Sequence, residues 1–447
     1  MTISDFTLLK KILRPKRIYN LYYFKPVEGF SLDSRTLKKG NVFVALKGKY
    51  KDGYQFIKEA KEKGASLIIA EREFFLDGLK IPYFVVEDSL EAIKKITRYI
   101  IKKKRPFVYA ITGSVGKTTT KEMLCFLLEE KFKVHKNYHT ENNLLGVAKT
   151  VFDLKDEKIL ILELGTNSLG EIRDLSELIF PKVGIITFIK PTHLEGLKTL
   201  KNIYEEKTSL LKVNPNIKAV LNKDDPYLRK VDFCKKIYWF GKSKDCHLYA
   251  RFLKRDFKNS FFLIQDKFLL KLPLQFEGFI FNILAAILGA HLKGIPFKKL
   301  VERMNNFCRY PWGRMEMKKI KGFLILNDAY NSNPFSFKES LKIVERFPQQ
   351  KIAIIGDMLE LGEKSIYYHK ILASTLIRAG IKYCLLMGKF TFYLKEELKR
   401  MGYKKVFHFS SHKKVAQFIK KNAKKDFLIF LKGSRKMELE KIIAFLK

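Results

Sequence analysis

Tyr109-Ala-Ile-Thr-Gly-Ser-Val-Gly-Lys-Thr-Thr-Thr120 is the stretch from which the rest of the chain is read. The apolar run Phe107–Ile111 that leads into it predicts a buried strand. Gly113 and Gly116 then open a tight turn, and Lys117 and Thr118 stand where a helix begins and continues through Met123, Leu124, Phe126 and Leu127. Strand, glycine turn and helix in that order build a phosphate cradle. Glycine lets successive backbone N–H groups converge on an anion, and the helix N-terminus adds its positive end. Lys117 contributes a point charge, and the Thr118 hydroxyl can hold a magnesium ion. The plainer alternative is a glycine-rich turn before an ordinary helix. Only Ser114 and Val115 separate the two glycines, fewer than in the loop of the general ATPases and GTPases. The loop is a shorter variety.

Outward from the cradle, apolar strands alternate with amphipathic helices as far as Trp312, which predicts a mainly parallel sheet. Strands are expected at Phe107–Ile111, Ile159–Leu164, Val183–Phe188 and Ala219–Leu221. Ligand-bearing residues in such a sheet sit just past the C-terminal ends of the strands. That rule selects Gly113–Thr118, Glu163 and Thr187–His193. Glu163 ends the run Ile159-Leu-Ile-Leu-Glu-Leu-Gly165, where a carboxylate is costly unless it meets a cation. A magnesium contact answers that cost; so would a salt bridge to a nearby lysine.

Upstream, residues 1–86 read as a small mixed unit. Asp33-Ser-Arg35 leads to a strand at Val42–Leu46 and a polar turn over 47–53. A helix near Phe56–Lys63 and strands at Ser66–Ala70 and Tyr83–Val86 follow. The helix Ser89–Lys104 then feeds the cradle through Arg105-Pro106. Downstream, Cys308-Arg-Tyr-Pro-Trp-Gly313 reads as a hinge, after which strands at Phe323–Asn327, Lys351–Ile355, Tyr383–Met387 and Phe427–Leu431 alternate with helical stretches. This last unit looks Rossmann-like but lacks a Gly-x-Gly-x-x-Gly after its first strand. Asn327-Asp-Ala-Tyr-Asn-Ser-Asn-Pro334 stands there instead, a polar loop suited to face a ligand held elsewhere. The expected fold class is α/β in three domains. Residues 1–86 form a small mixed α/β domain, 87–312 a central P-loop-type parallel-sheet ATPase domain, and 313–447 a Rossmann-like domain.

The chain has 447 residues, too many for one core, with Lys+Arg 87 against Asp+Glu 46 for a net charge of +41. Such a charge suggests a polyanionic partner: nucleic acid, an anionic membrane or phosphorylated substrates. The lysines, however, are spread through every segment, and most read as solvated surface. A P-loop protein that binds nucleic acid is the rival reading of a different class, and no basic-aromatic signature supports it. The five cysteines lie far apart without a Cys-x-x-Cys pair, which argues for a reduced compartment and against structural zinc. The first residues lack the pattern of a signal peptide and no segment reads as a membrane span, so a cytoplasmic protein is expected; a monomer is the separate expectation for its assembly.

Several blocks in order resemble the Mur ligase family, the ATP-dependent amide-forming enzymes of peptidoglycan precursor synthesis. The short loop Thr112–Thr119 resembles its ATP motif. Ile161-Leu-Glu-Leu-Gly-Thr-Asn167 with Gly170-Glu-Ile172, His193-Leu-Glu-Gly196, Lys207, Gly313-Arg-Met-Glu316 and the Asn327–Pro334 loop follow at similar spacing. Asn142-Asn-Leu-Leu-Gly146, Gly356-Asp-Met-Leu-Glu-Leu-Gly362 with His369, and Lys432-Gly-Ser-Arg-Lys-Met-Glu438 are similar to the branch that adds D-alanyl-D-alanine to UDP-N-acetylmuramoyl tripeptide.

The resemblance implies a role for each matching residue. Thr112, Gly113, Ser114, Val115, Gly116, Lys117, Thr118 and Thr119 would grip ATP. Thr118 and Glu163 would hold one magnesium ion and His193 a second. Lys207 matches the lysine that the family carbamylates, although an ordinary helix lysine reads the same. Arg314 matches an arginine that reaches the γ-phosphate, and Asn282, Asp328 and Asn331 match contacts around the nucleotide. Phe276-Glu277-Gly278 stands where the family has Gly-x-His ahead of Asn282, and Tyr54 where it has His. Ser34, Arg35, Asp52, Asn142, Asn143, Asn333, Ser434 and Arg435 match substrate-binding positions. The family siblings that add one amino acid, or glutamate to folate, stay open as alternatives.

Overall fold

The computed structural model describes residues 6–48, 52–74, 80–138 and 141–446. The middle of the polar turn expected over 47–53 lies outside them. The chain forms two compact units. The first is Met1–Ala110, Lys131–Thr166 and Glu171–Lys182; the second is Ile111–Glu130, Asn167–Gly170 and Val183–Lys447.

In the first unit, strands β1 (Arg17–Tyr19), β2 (Gly29–Ser31), β3 (Asn41–Val44), β4 (Leu67–Ala70) and β5 (Tyr83–Val85) form a sheet in the order β1-β5-β4-β3-β2. All neighbours are parallel except the β1–β5 edge. Buried Phe43, Ile57, Ile68 and Tyr83 anchor its core, with Tyr19 stacked on Tyr83 at 4.5 Å. The helix Ser89–Lys104 occupies its predicted span for capping reasons. The Asp88 carboxylate accepts the N–H groups of Leu90 and Glu91, Lys102–Lys104 lie at the negative end, and Arg105 stops the helix in left-handed backbone before Pro106. Strand β6 (Phe107–Thr112), whose first four residues belong here, runs beside β8 (Ile159–Glu163), which pairs in parallel with β7 (Val134–Lys136).

In the second unit, β9 (Val183–Ile186), β10 (Lys218–Asn222), β11 (Lys236–Gly241) and β12 (Leu248–Arg255) pair in parallel in that order. Antiparallel β13 (Asn259–Ile264) and β14 (Phe268–Pro273) extend the edge as a meander. The expectation of a mainly parallel sheet missed these last two strands. The helix Ile280–His291 is almost wholly buried, and a Cβ on its Gly289 would lie 3.1 Å from Ile185 and 3.4 Å from Leu124. The stretch Leu274–His291 has the length and apolarity of a membrane span, but 72% of it is buried in the fold, as in the core helix of a globular protein.

The last sheet of this unit runs β15-β16-β20-β17-β18-β19, from β15 (Glu316–Ile320), β16 (Phe323–Asn327), β17 (Lys351–Gly356), β18 (Ile381–Met387), β19 (Val406–His408) and β20 (Leu428–Lys432). Only the β15–β16 edge is antiparallel. Every residue of β17 and β20 is buried, as expected of parallel strands covered on both faces. The loops Asn327–Asn333, Asp357–Leu361 and Gly433–Ser434 leave the C-terminal ends of β16, β17 and β20, the ends at which such sheets carry ligands.

Candidate active site

The cradle is built by close backbone approach. Gly113 has φ 142, and a Cβ there would lie 2.1 Å from Thr187 Oγ1; Gly116 has φ 85, and a Cβ there would lie 2.1 Å from Asn282 Nδ2. Neither position accepts a side chain. Three bonds clamp the loop to the segment after β9. The Ser114 N–H donates to Phe188 O at 2.8 Å, the Ser114 hydroxyl to Lys190 O at 2.8 Å, and the Thr187 hydroxyl to Val115 O at 2.5 Å. Gly116 caps the helix Lys117–Leu128 with no side-chain hydrogen bond, and the helix start adds its positive end to the loop. Lys117 Nζ folds back onto Gly113 O at 2.9 Å.

Arg314 comes to the same place. Its Nη2 lies 3.2 Å from Thr118 Oγ1, its guanidinium stacks 4.3 Å from the Tyr330 ring, and its Nε is buried with no hydrogen-bond partner. The hydroxyls of Thr192 and Ser332 are buried and unpartnered as well. An orphaned arginine donor beside an uncapped helix end fits a phosphate chain. Lys207 is fully buried, and its pKa falls to about 7, first through burial and then through the nearby charge of Lys117. His193 sits in left-handed backbone, with Nδ1 2.8 Å from Glu360 Oε2. The His193 contact holds the Glu360 carboxyl below its usual range.

Other expected residues are occupied in building the site. Both Asn282 N–H groups are taken, one by Gly116 O at 3.1 Å and one by Thr120 Oγ1 at 3.0 Å. Asp328 accepts from Lys432 Nζ at 2.5 Å, the Ser340 hydroxyl at 2.6 Å and the Met315 N–H at 3.2 Å. Burial pushes the Lys432 ammonium down, and Asp328 opposes that. Asn331 supplies its carbonyl to Lys432 and its side-chain oxygen to the Ser332 N–H. Asn333 caps the helix Pro334–Glu345 in a reciprocal box with Ser336. The Ser434 hydroxyl accepts the Leu359 N–H at 2.8 Å, and Arg435 pairs with Glu440 and lies 5.0 Å from the Trp312 ring. Sequence reasoning did not select Glu360, Thr192 or Ser332 one by one, because the contact of Glu360 with His193 and the buried, unpartnered hydroxyls of Thr192 and Ser332 arise only on folding.

In the first unit, Glu163 at the end of β8 is 3% exposed and is held by asparagines. Asn142 Nδ2 donates to its carboxylate at 3.1 Å, while Asn137 takes its N–H and its carbonyl, both at 2.9 Å. Asn143 caps the helix Leu144–Phe152 by accepting the Gly146 N–H. Among the expected substrate contacts, the Ser34 hydroxyl donates to Glu59 at 2.8 Å, exposed Arg35 forks onto Asp33, and Asp52 pairs with Arg72 at 2.8 Å. The Tyr54 hydroxyl accepts the N–H groups of Glu71 and Arg72. Among the described residues no group of three or more His, Cys, Asp or Glu side chains forms a ready-made metal cluster. A pair of ions would need oxygens from threonine, substrate and a modified lysine.

Comparison with known proteins gives the architecture its family. The Mur ligase catalytic domain matches residues 26–111, the Mur ligase middle domain 111–290, and the Mur ligase glutamate ligase domain 313–435. The chain is 30% identical over 428 residues to UDP-N-acetylmuramoyl-tripeptide--D-alanyl-D-alanine ligase of Buchnera aphidicola subsp. Baizongia pistaciae, covering 93% of this chain and 92% of that one. The chain belongs to the Mur ligase family. It is also 29% identical over 432 residues to the ligase of the same name from Bacillus subtilis, with 93% and 92% of the two chains covered. The Mur ligase called MurF from Thermotoga maritima, solved in complex with ADP, is 31% identical at a TM-score of 0.81 over 93% of this chain and 96% of that one. MurF from Acinetobacter baumannii, 24% identical, shares the fold at a TM-score of 0.89 over 98% of each chain.

One departure from the Mur ligase pattern has a structural cause. Glu277, in the triplet that replaces Gly-x-His, bonds Arg255, Ser260 and Arg346. Burial pushes its carboxyl up, but bonds from Arg255 and Ser260 outweigh that and hold it low. Phe276 stacks on Tyr310 of the hinge. In this Mur ligase the triplet ties the β12–β14 edge to the helix Pro334–Glu345 and braces the hinge.

Proposed function

We propose that the chain adds D-alanyl-D-alanine to UDP-N-acetylmuramoyl tripeptide, with ATP converted to ADP and phosphate, in peptidoglycan precursor synthesis. One observation carries the chemistry: Arg314, from beyond the hinge, touches the Thr118 hydroxyl of a glycine-built, uncapped phosphate loop. The full-length likeness to the Bacillus and Buchnera ligases carries the choice of substrates.

A carboxylate does not accept an amine at neutral pH, because its oxygen is a poor leaving group. In the proposed sequence the tripeptide's terminal carboxylate attacks the γ-phosphorus of ATP and ADP leaves. The dipeptide amine then adds to the acyl phosphate through a tetrahedral intermediate, loses its proton and expels phosphate. Two anions meet in the first step, so positive charge decides its rate. Lys117, Arg314 and the N–H groups of Gly113–Lys117 supply it. Thr118, Glu163, His193 and a carbamylated Lys207 are the groups proposed to hold two magnesium ions, which when bound would neutralise phosphate oxygens. Lys207 becomes an anion when its neutral amine adds to carbon dioxide and releases a proton, and burial keeps much of it neutral near pH 7. Positioning of three substrates contributes on the order of 7–11 kcal/mol through effective molarity.

Asn282, Asp328 and Asn331 are proposed around the nucleotide. Ser34, Arg35 and Asp52 are assigned to the uridine diphosphate end, and Asn142, Asn143, Asn333, Ser434 and Arg435 to the peptide ends. The five free thiols support a reducing cytoplasm as the site of action. We assign a monomer with domain boundaries near 86/87 and 312/313.

The test is phosphate release from ATP and the UDP-muramoyl tripeptide, with D-alanyl-D-alanine, D-alanine or meso-diaminopimelate as acceptor. Turnover with the dipeptide alone is the expected result. Turnover with a single amino acid moves the chain to a sibling activity, and silence with every acceptor overturns the assignment.

A further inference from the structure

The contact between His193 and Glu360 has no task in the reaction as described. His193 has φ 51 and Glu360 φ 65, so both present their side chains from left-handed backbone. Their side chains meet at 2.8 Å, Nδ1 to Oε2, with the histidine about a quarter exposed and the glutamate about half. The same loop touches the histidine's segment twice more. The Glu195 N–H donates to Glu360 O at 3.3 Å, and a Cβ on Gly362 would lie 3.5 Å from Glu195 Cα. From behind, the loop is fixed by buried groups: Ser434 takes the Leu359 N–H, and His369 Nε2 takes the Met358 N–H at 3.0 Å. A side chain on so braced a loop holds its neighbour in one orientation. An imidazole that keeps its Nδ1 proton and donates it in a hydrogen bond to a carboxylate has its lone pair on Nε2, the form a divalent cation requires.

We propose that Glu360 is a positioning residue for the second metal site. It holds His193 as the tautomer with Nε2 open, and so ties the affinity of that site to the seating of the loop Gly356–Gly362. The inference rests on the reading of His193 as a metal ligand. No proton moves during turnover; the carboxylate acts through the ring's orientation alone.

The experiment titrates the full-length, ADP-loaded protein with manganese, counting free ion by electron paramagnetic resonance. Wild type should bind two ions and His193→Ala one. Glu360→Ala should keep the first ion at wild-type affinity and bind the second 10- to 100-fold more weakly. Glu360→Gln keeps an acceptor oxygen without the charge and should fall between, at least threefold weaker than wild type. Second-site affinities within twofold of wild type in both glutamate variants overturn the role of Glu360 while leaving His193 a ligand. If Glu360→Ala does not fold, the glutamine variant alone decides by the same twofold limit. Two ions in His193→Ala overturn the metal reading of His193, and the inference with it.

Discussion

In the proposed reaction Arg314 and Lys117 both offer positive charge to a phosphate, Lys117 to the bound nucleotide and Arg314 to the charge that develops as the phosphate is transferred. Lys117 lies inside the cradle that any bound nucleotide must occupy, bonded to Gly113 O. Arg314 reaches the loop from beyond the hinge, and its Nε has no partner to lose. Lys117→Ala should lose nucleotide binding and turnover together. Arg314→Ala should bind ADP as before and lose about 10²–10³ in kcat, the usual effect of deleting a donor that acts on developing charge. Calorimetric ADP titration beside phosphate release separates the two; equal loss of ADP affinity in both variants refutes the division. Lys207 makes a prediction about pH. Carbamylation consumes the neutral amine, and the side chain protonates as pH falls through about 7. Activity should therefore drop below pH 7 and recover in part with added bicarbonate. Lys207→Ala should be inactive and regain activity with acetate or formate. A flat profile between pH 6 and 8 counts against carbamylation. For stability the sign is opposite to that of a salt-bridged lysine. The folded pKa lies below the unfolded 10.5, so the unfolded chain binds the extra proton between them. A free amine at this position costs stability increasingly as pH falls from 10.5 to about 7, after which the cost is constant.

The phosphate loop shows why an element can be legible before its contacts are. Strand, short glycine turn and helix follow from local residue types alone, and the structure has β6 and the helix Lys117–Leu128 where the sequence puts them. What local sequence does not state is why a glycine at 116 is obligatory. A Cβ there would meet Asn282, far along the chain, in backbone at φ 85. Gly116→Ala should lower stability by about 1–3 kcal/mol, through left-handed strain and the displaced Asn282 amide, and should abolish tight ADP binding. Thermal unfolding and ADP titration check it; wild-type ADP affinity would show that the loop tolerates a side chain. The same divide runs through the rest of the fold. β17 and β20 were readable because each is a largely apolar run buried throughout, and β16 because only Leu324 of its five residues is partly exposed. β1, β2, β7 and β19 are three residues long, too short for any period to show. β12–β14 are partly exposed, with Arg251, Lys254 and Arg255 on the open part of β12 and Lys271 on that of β14, so they broke the expected alternation of strand and helix. In the site, Lys117, Thr118 and Arg314 belong to motifs in chain order. Glu360 and the bracing bonds of Glu277 depend on approach in space, which no local pattern encodes.

At the scale of the whole molecule the net charge of +41 is the feature that invites a different function. The structure distributes it. Lysines pair with acids on many separate surfaces, as in Lys133 with Asp156, Lys223 with Asp245, Lys244 with Asp266 and Lys441 with Glu438. Pairs of this exposed kind add little to stability, but they lower the local field that a polyanion would feel. At the cradle two buried lysines each feel a second cation, Lys207 the charge of Lys117 and Lys432 that of Arg314. A duplex neutralises phosphates in a continuous row, so a nucleic-acid surface needs cations aligned over several turns of groove, whereas the cradle matches a single phosphate chain. Labelled duplex DNA should consequently bind no tighter than the non-specific range of about 10⁻⁴–10⁻⁶ M at physiological salt, and ATP should not compete with the residual binding. Sub-micromolar affinity that falls steeply with salt and is displaced by ATP would place the polyanion in the cradle itself, and would turn the ligase reading into that of a nucleic-acid-binding P-loop protein.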